Sequence, residues 1–326
     1  MRAITMNGFG EPEVLQIGEA SMPSVGKEDV LVKVAATALN RADTLQREGK
    51  YPPPKGESEI LGLEVSGIVE KKGENVIKWG VGDKVCCLLA GGGYAEYVSV
   101  HQDLVMPVPV NLDIIHCAAL PEVFLTAYQA LFSLAELKEN EKVLIHAGGS
   151  GVGTAAIQLA KMMNTEIFVT ASVSKHAICR ALGATHTIDY KTQDFATEIK
   201  SITNGKGVDV VLDFMGASYL KQNLDVLGMD GRMVILAWMG GFKIDALNLF
   251  PIVSKRLKIM GSTLRARSIS YKAKLIKDFS KNFLPLFDAG KLKPVIDTVM
   301  PWQEVQAAHR SMDANLNTGK IILMID

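Results

Sequence analysis

At 326 residues the chain exceeds what one hydrophobic core usually supports, so two domains of ordinary size are expected. Apolar residues make up 48% of it, and 35 basic residues balance 35 acidic ones, which excludes the broad positive field of a nucleic-acid binder and leaves no acidic tail to explain. The four cysteines, at 86, 87, 117 and 179, have neither a disulfide-framework spacing nor a paired C-x-x-C zinc pattern, so reduced, buried thiols are expected.

The first twenty residues lack the apolar stretch of a secretory signal, and no window approaches the ~20 apolar residues that span a bilayer. A cytoplasmic protein with no membrane segment is the expectation. The first third of the chain reads as β-rich: residues 30–36 and 65–70 alternate and are β-branched, and Gly91-Gly92-Gly93 precedes a further alternating run at 94–100. Turn residues recur about every ten positions, as in a small barrel-like β domain. Beside Tyr51, Pro52, Pro53 and Pro54 form a stiff surface loop, because consecutive prolines neither continue a helix nor pair in a sheet.

Near residue 121 the rhythm changes. Residues 121–134 have helical spacing, and from 142 strands and helices alternate. Strands are expected at 142–147, 166–171, 186–190, 208–213, 232–237 and 258–262, with helices at 151–163, 174–183, 194–203 and 217–227 between the first five. The strands are short continuous apolar runs, as in a sheet covered on both faces. Six such strands describe a doubly wound α/β domain of the dinucleotide-binding type. After 263 the pattern turns helical and then ends in the strand-like KIILM at 320–324, which returns most simply to the first domain. The expected organisation is therefore 1–121 and 263–326 as one β-rich domain, with the parallel-sheet domain of 122–262 inserted between them.

The run Ala147-Gly148-Gly149-Ser150-Gly151-Val152-Gly153 lies between the first strand and its helix, the context that turns a weak glycine motif into a specific one. Small residues at Gly149 and Ser150 let the backbone approach a pyrophosphate, and the first-turn amides near Gly151, Val152 and Gly153 would face its charge. NAD-binding domains place an acid at the end of the second strand to hold the ribose hydroxyls. Here that strand ends Thr170-Ala171-Ser172 with Lys175 following, and Glu166 sits at its other end. Ser172 and Lys175 could bond a 2′-phosphate. A hydrogen bond to a charged group contributes ~1.5–3 kcal/mol, roughly a ten- to hundredfold preference, so NADP(H) is the expected cofactor. A solvated lysine at a helix start is the alternative for Lys175.

Several segments together are similar to the medium-chain dehydrogenase/reductase superfamily, and most closely to its NADPH-dependent, zeta-crystallin-like quinone oxidoreductases. They are Leu39-Asn40-Arg41-Ala42-Asp43, the loop around Tyr51, Gly62-Leu63-Glu64-Val65-Ser66-Gly67, Gly80-Val81-Gly82-Asp83-Lys84-Val85, Pro121 through Ala127, the glycine loop, and Asn317-Thr318-Gly319-Lys320. The resemblance implies a Rossmann doubly wound sheet inserted in a GroES-like β-rich catalytic domain. It also implies departures from the zinc alcohol dehydrogenases. Where those carry Gly-His-Glu this chain has Gly62-Leu63-Glu64, and their first and third cysteine ligands correspond to Asn40 and Glu122. Leucine cannot coordinate zinc, and a catalytic site needs three protein ligands. The four-cysteine structural lobe is also missing, so no metal is expected.

The activity so implied is direct hydride transfer from NADPH to a quinone or related conjugated carbonyl, for which orientation supplies most of the catalysis. The resemblance assigns Asn40 as a donor to the nicotinamide ribose or the substrate oxygen, where the residues alone leave a turn asparagine open. Tyr51 is a candidate to stack on or donate to the acceptor. Thr126 is a candidate for the nicotinamide side of the cofactor, and Tyr190, ending the third strand, for the adenosine phosphate side. Met239, Thr263 and Leu264 fall at the ends of late strands and are candidates for backbone contacts to the nicotinamide amide. Of the six histidines, His146 interrupts an apolar strand and reads as a satisfied core residue, while His309 reads as solvated. Arg265 and Arg267, like the run Lys255-Arg256-Leu257-Lys258, read as solvated basic residues. An enone or enoyl reductase and a non-catalytic NADPH-binding protein are the competing functions. The expected partners are a small-molecule quinone or enone and, through the open edge of the sixth strand, further copies in a homodimer or homotetramer.

Overall fold

The computed structural model describes all 326 residues, which divide into two compact units, Met1–Leu125 with Leu264–Asp326, and Thr126–Thr263.

The second unit carries a six-stranded, wholly parallel sheet. In spatial order its strands are His186–Asp189, Glu166–Ala171, Lys142–Ile145, Val208–Asp213, Leu227–Ile235 and Lys258–Gly261. The order steps outward one way from Lys142–Ile145 and then the other, so the chain reverses direction at the glycine loop, the topological switch point where such sheets bind ligands. Helices Gly151–Lys161, His176–Leu182, Phe195–Ile202 and Ala217–Val226 connect the first five strands. One core cluster contains Leu144, Phe168, Ile188, Ile199, Val211 and Met233, drawn from strands and a helix that the apolar runs of the sequence mark.

Two elements around this sheet differ from expectation. The fifth strand begins at Leu227, where the preceding helix ends directly, and stops at Ile235; the Leu236 amide turns to donate to the Asp213 carbonyl. The expected helix over 121–134 is α-helical only through Pro121–Tyr128 and continues as a wider π turn, Gln129–Leu134, whose closing bond runs from the Ala135 amide to the Ala130 carbonyl. Such turns are uncommon and often mark functional segments.

The first unit is built on a seven-stranded sheet. The ten-residue strand Asp29–Ala38 is its hub: it pairs antiparallel with Glu64–Lys72, with Tyr97–His101 and, at its far end, with Lys320–Met324. The closing KIILM strand thus does return to the first third of the chain. Strand Ile296–Pro301, which lies in a region read as helical, pairs parallel to Lys320–Met324, and helix Val305–Asp313 connects the two. Its alternate residues are half-buried and exposed, the pattern of an edge position ending in proline. Helix Ile269–Asp288 buries Phe279, Phe283 and Phe287 along one side, with Phe124 packed against Phe279 and Phe287.

Candidate active site

In the second unit the loop after Lys142–Ile145 is shaped for close approach. Ala147 adopts a left-handed φ of 48°, uncommon for a residue with a side chain, where the chain leaves the strand. A Cβ on Gly153 would lie 2.4 Å from the Ala147 carbonyl oxygen, so helix and loop pack at a separation only glycine permits. Ser150 caps the helix, its Oγ accepting from the Gly153 amide at 3.0 Å. That bond withdraws Gly153 from the expected set of anion-facing amides and leaves Gly151 and Val152 in the first turn.

The other cofactor candidates in this unit lie at the strand ends. Lys175 is half-buried, and a Cβ on Gly149 would come within 2.5 Å of its Cδ, so its stem lies across the glycine loop. Ser172 is half-buried at the end of the second strand and shares a hydrogen bond with Ser174 at 3.2 Å. Tyr190 is exposed one residue past the third strand, and Met239 is exposed in the segment after the fifth. Gln129, in the π turn, donates to the Thr263 carbonyl at 3.4 Å and accepts from Ser262 at 3.1 Å, which ties the turn after Thr126 to the end of the sixth strand. His146 is buried as expected, bonded to Thr170 at 2.8 Å and Asn223 at 2.7 Å, and burial pushes its pKa down to about 4.

In the first unit a buried polar cluster gathers Asn40, Asp43, Glu64, Glu122 and Lys320. Lys320 Nζ lies 2.8 Å from Glu64 Oε1 and donates to Asn40 Oδ1 at 2.7 Å and to the Leu39 carbonyl. Its three protons therefore have three acceptors. Asn40 Nδ2 donates to Glu64 Oε1 at 2.9 Å and to the Ala38 carbonyl at 3.2 Å, so both amide protons point inward. A ligand bond from Asn40 would have to replace one of these. The Glu122 backbone amide donates to Glu64 Oε2 at 2.8 Å, which sets the start of helix Pro121–Tyr128 against the carboxylate.

Asp43 accepts from the Asn40 amide at 2.8 Å and from the Gly62 amide at 3.0 Å. At Gly62, φ is +101° and a Cβ would meet Gly93 and Tyr94 at 2.7 Å, so only glycine brings this amide to the carboxylate. Burial pushes Asp43 up to about 6 against the pull of these bonds. Behind it, Arg47 Nη1 lies 3.2 Å from His309 Nδ1 and 2.9 Å from Asp313, while His309 Nε2 lies 3.3 Å from the Tyr94 hydroxyl. Arginine only donates, so Nδ1 accepts, Nε2 carries the proton, and the Tyr94 hydroxyl is left to donate toward Asp43. His309 is thus fully buried, not solvated, with burial and the Arg47 charge holding its pKa down to about 3.

Arg265, also read as solvated, is 4% exposed. Its Nε donates to the Ala90 carbonyl at 2.7 Å, Nη2 to Gln46 at 2.6 Å and Nη1 to the Tyr51 carbonyl at 3.4 Å, and its guanidinium stands 5.4 Å from the Tyr51 ring centroid. It fixes the proline-bounded loop and leaves Tyr51 half-buried. Leu264 beside it is buried. Arg267 is exposed, as expected. Sequence reasoning missed Lys320 and Glu64 as site residues; the available signal was a lysine opening an otherwise apolar strand and a glutamate opening another.

A model of the alcohol dehydrogenase GroES-like domain matches residues 26–110, and a model of the zinc-binding dehydrogenase family matches residues 151–281. The chain is 32% identical over 342 residues to the synaptic vesicle membrane protein VAT-1 homolog of Danio rerio, covering 99% of this chain and 69% of that protein. It is 30% identical over 329 residues to the quinone oxidoreductase of Rattus norvegicus, covering 100% and 98%. The chain belongs to the medium-chain dehydrogenase/reductase superfamily. Its resemblance within that superfamily is to the quinone oxidoreductases. The structure of the Escherichia coli quinone oxidoreductase complexed with NADPH superposes with a TM-score of 0.88 at 28% identity, covering 99% of this chain and 100% of the other. This member of the superfamily thus has a Rossmann parallel sheet and a separate GroES-like β-rich unit, and it is an oxidoreductase of the nicotinamide-binding kind. No helix is long and apolar enough to cross a membrane.

At the positions that the resemblance matches to zinc ligands stand Asn40, Leu63 and Glu122. Leu63 offers no lone pair, and Asn40 already commits both amide protons to Glu64 and Ala38 and one Oδ1 lone pair to Lys320. The donor set does not fit a catalytic zinc ion.

Proposed function

We propose that the protein is a zinc-independent, NADPH-dependent reductase of quinones and related conjugated carbonyls. The observation that carries this reading is the donor set just described: a lysine ammonium is locked between Glu64 and Asn40, and a leucine stands where a zinc ligand is required. Without a Lewis acid to stabilise an alkoxide, alcohol chemistry loses its main support. An electron-poor conjugated acceptor holds the developing charge in its own π-system and needs mainly to be oriented.

The residues suit the cofactor. Bound NADPH would supply the hydride. Gly149 and Ser150 would let the backbone approach the pyrophosphate, and the Gly151 and Val152 amides would face it. Lys175, its stem over Gly149, and Ser172 would take the 2′-phosphate, with Tyr190 on the adenosine side. Thr126, Met239, Thr263 and Leu264 would serve the nicotinamide end. Tyr51, steadied by Arg265, would meet the acceptor, and Asn40 would act by holding the Glu64 cluster. We also assign the open edge of the sixth strand to a second copy of the chain, making a homodimer or a dimer of dimers.

The deciding experiment is steady-state turnover of ortho-quinones, para-quinones and enones with NADPH and NADH side by side. Quinone-dependent oxidation of NADPH, faster than of NADH, is the expected result. NADPH binding detected by fluorescence with no acceptor reduced would overturn the enzymatic reading in favour of a binding protein.

A further inference from the structure

His146 directly precedes the glycine loop and follows the apolar strand Lys142–Ile145. Its backbone amide donates to the Leu212 carbonyl at 3.1 Å, which extends the pairing of that strand with Val208–Asp213, and Ala147 then turns into its left-handed conformation. The side chain is fully buried. An apolar residue would fill the same space without taking two ring nitrogens out of water, so packing alone does not account for a histidine here.

We infer that His146 is a positioning residue for the cofactor's pyrophosphate, tying the glycine loop between the second strand and helix Ala217–Val226. The inference rests on the assignment of that loop to the pyrophosphate made above. On one side, Nε2 of the imidazole lies 2.7 Å from Oδ1 of Asn223, on the helix. On the other, Nδ1 lies 2.8 Å from the Thr170 hydroxyl, on strand Glu166–Ala171. Asn223 presents its oxygen, so Nε2 carries the proton and Nδ1 accepts from Thr170. Burial keeps the ring's pKa down to about 4, which leaves the Nδ1 lone pair available at neutral pH.

Thr170 carries the tie onward. Its hydroxyl holds His146, and its carbonyl accepts from the Gly148 amide at 3.0 Å. Gly148 sits tightly against the same strand, where a Cβ would lie 2.0 Å from Val169 Cγ1. The chain is therefore fixed on both sides of Ala147, and Gly149, Ser150, Gly151 and Val152 take their placement from it. All of these residues belong to the Thr126–Thr263 unit.

The ring itself is locked. Phe195 and Tyr219 each stand edge-on to it at 4.9 Å between centroids, so packing and both hydrogen bonds select one rotamer, the condition under which a supporting side chain can orient a site. The network also carries a cost that space-filling does not explain: Asn223 Nδ2 is buried without a hydrogen-bond partner while Oδ1 serves the histidine.

Calorimetry with fragments of the cofactor tests this. The probes are ADP-ribose, which contains the pyrophosphate, and adenosine, which does not. Each is used with and without a 2′-phosphate, so that the result does not depend on which dinucleotide is preferred. His146→Leu keeps the site filled and removes both bonds. A displacement of about 1 Å can cost ~100-fold, so this variant should weaken the ADP-ribose forms by roughly ten- to hundredfold and the adenosine forms by less than about threefold. Thr170→Val keeps the shape of the side chain and the carbonyl used by Gly148. It should show the same selective loss in smaller measure, and it carries the test if His146→Leu does not fold. His146→Gln, which has a donor and an acceptor on one side chain, should restore part of the affinity. Equal weakening of all the fragments, an unchanged affinity for the ADP-ribose forms, or a Gln variant no better than Leu would overturn the inference and leave the cofactor reading intact. A parent protein that binds none of the fragments would overturn both.

Discussion

Lys320 and Glu64 meet at 2.8 Å with both side chains out of water, and this pair organises the polar cluster of the GroES-like unit. The ammonium bonds Asn40 and Leu39, and the carboxylate accepts from Asn40 and Glu122, so each charge is surrounded by oriented partners. Removing one member of such a pair leaves the other as an uncompensated buried charge, which costs about 3–5 kcal/mol. Lys320→Met should therefore lower unfolding free energy by about that amount in urea titration. Lys320→Met combined with Glu64→Leu should recover part of the loss, because the stranded charge is gone. A single variant as stable as the parent would show that the pair contributes nothing to stability.

The proposed preference for NADPH rests on a different contact. The Lys175 stem crosses Gly149, so its aliphatic carbons as far as Cδ lie against the glycine loop. Lys175→Ala should weaken NADPH by ten- to hundredfold, the equivalent of losing one charged hydrogen bond of ~1.5–3 kcal/mol. NADH, lacking the 2′-phosphate, should change little. Titration of intrinsic fluorescence with each cofactor measures both, and equal weakening would show that the phosphate lies elsewhere.

Buried histidines give the protein an acid-side dependence of known sign. His309 is held neutral in the folded state, down to about 3, while an unfolded histidine protonates near 6.5. The unfolded chain therefore binds more protons below 6.5, and the stability that His309 contributes is present above that pH and lost as pH falls. The slope is about 1.4 kcal/mol per pH unit for one such group. Asp43 and Glu122 act oppositely: their folded pKa values, about 6 and about 8, are raised, so what they contribute is lost as pH rises through those values. A comparison isolates the histidine. Glu and Asp terms are common to both proteins, so His309→Gln should show a shallower fall in urea midpoint below pH 6.5 than the parent. Parallel curves would mean that His309 is charged in the folded state.

How much of this could be read in the sequence follows from how local each feature is. The glycine loop, its strand and its helix are contiguous, and the apolar runs of the parallel sheet are self-marking because both faces are buried. Leu63 at a position that zinc chemistry requires to be a ligand is likewise a one-residue statement. Burial of charge is not local. Arg265 and His309 look solvated in sequence because nothing beside them announces Gln46, Ala90, Arg47 or Tyr94, which arrive from distant segments. Strand Ile296–Pro301 was hidden for a related reason: one face is only half-buried, so its alternation is weak, and its partner Lys320–Met324 lies beyond a helix. Asn40 stands out in the sequence as a candidate, but the direction of its amide is set by Lys320, a residue from the other end of the chain.

The Rossmann sheet ends in a strand that invites a partner. Lys258–Gly261 pairs with Leu227–Ile235 on one side only, which leaves its other row of backbone groups open. The segment leading into it is unusually apolar for exposed chain: Leu249, Phe250 and Val253 are at least 60% exposed, and Ile259 on the strand itself is also exposed. An open edge flanked by such side chains is an aggregation hazard unless covered, and a second copy related by a two-fold axis would cover both features at once. Light scattering coupled to size exclusion should give at least twice the chain mass. Replacing Phe250 and Val253 together by aspartate places like charges across a self-complementary interface and should shift the population to monomer. Because both side chains are exposed in the isolated chain, the double variant should keep its folded far-ultraviolet signature, which separates loss of association from loss of fold. A monomeric parent protein would remove this edge as an interface, and a double variant that stays dimeric would move the interface to another face.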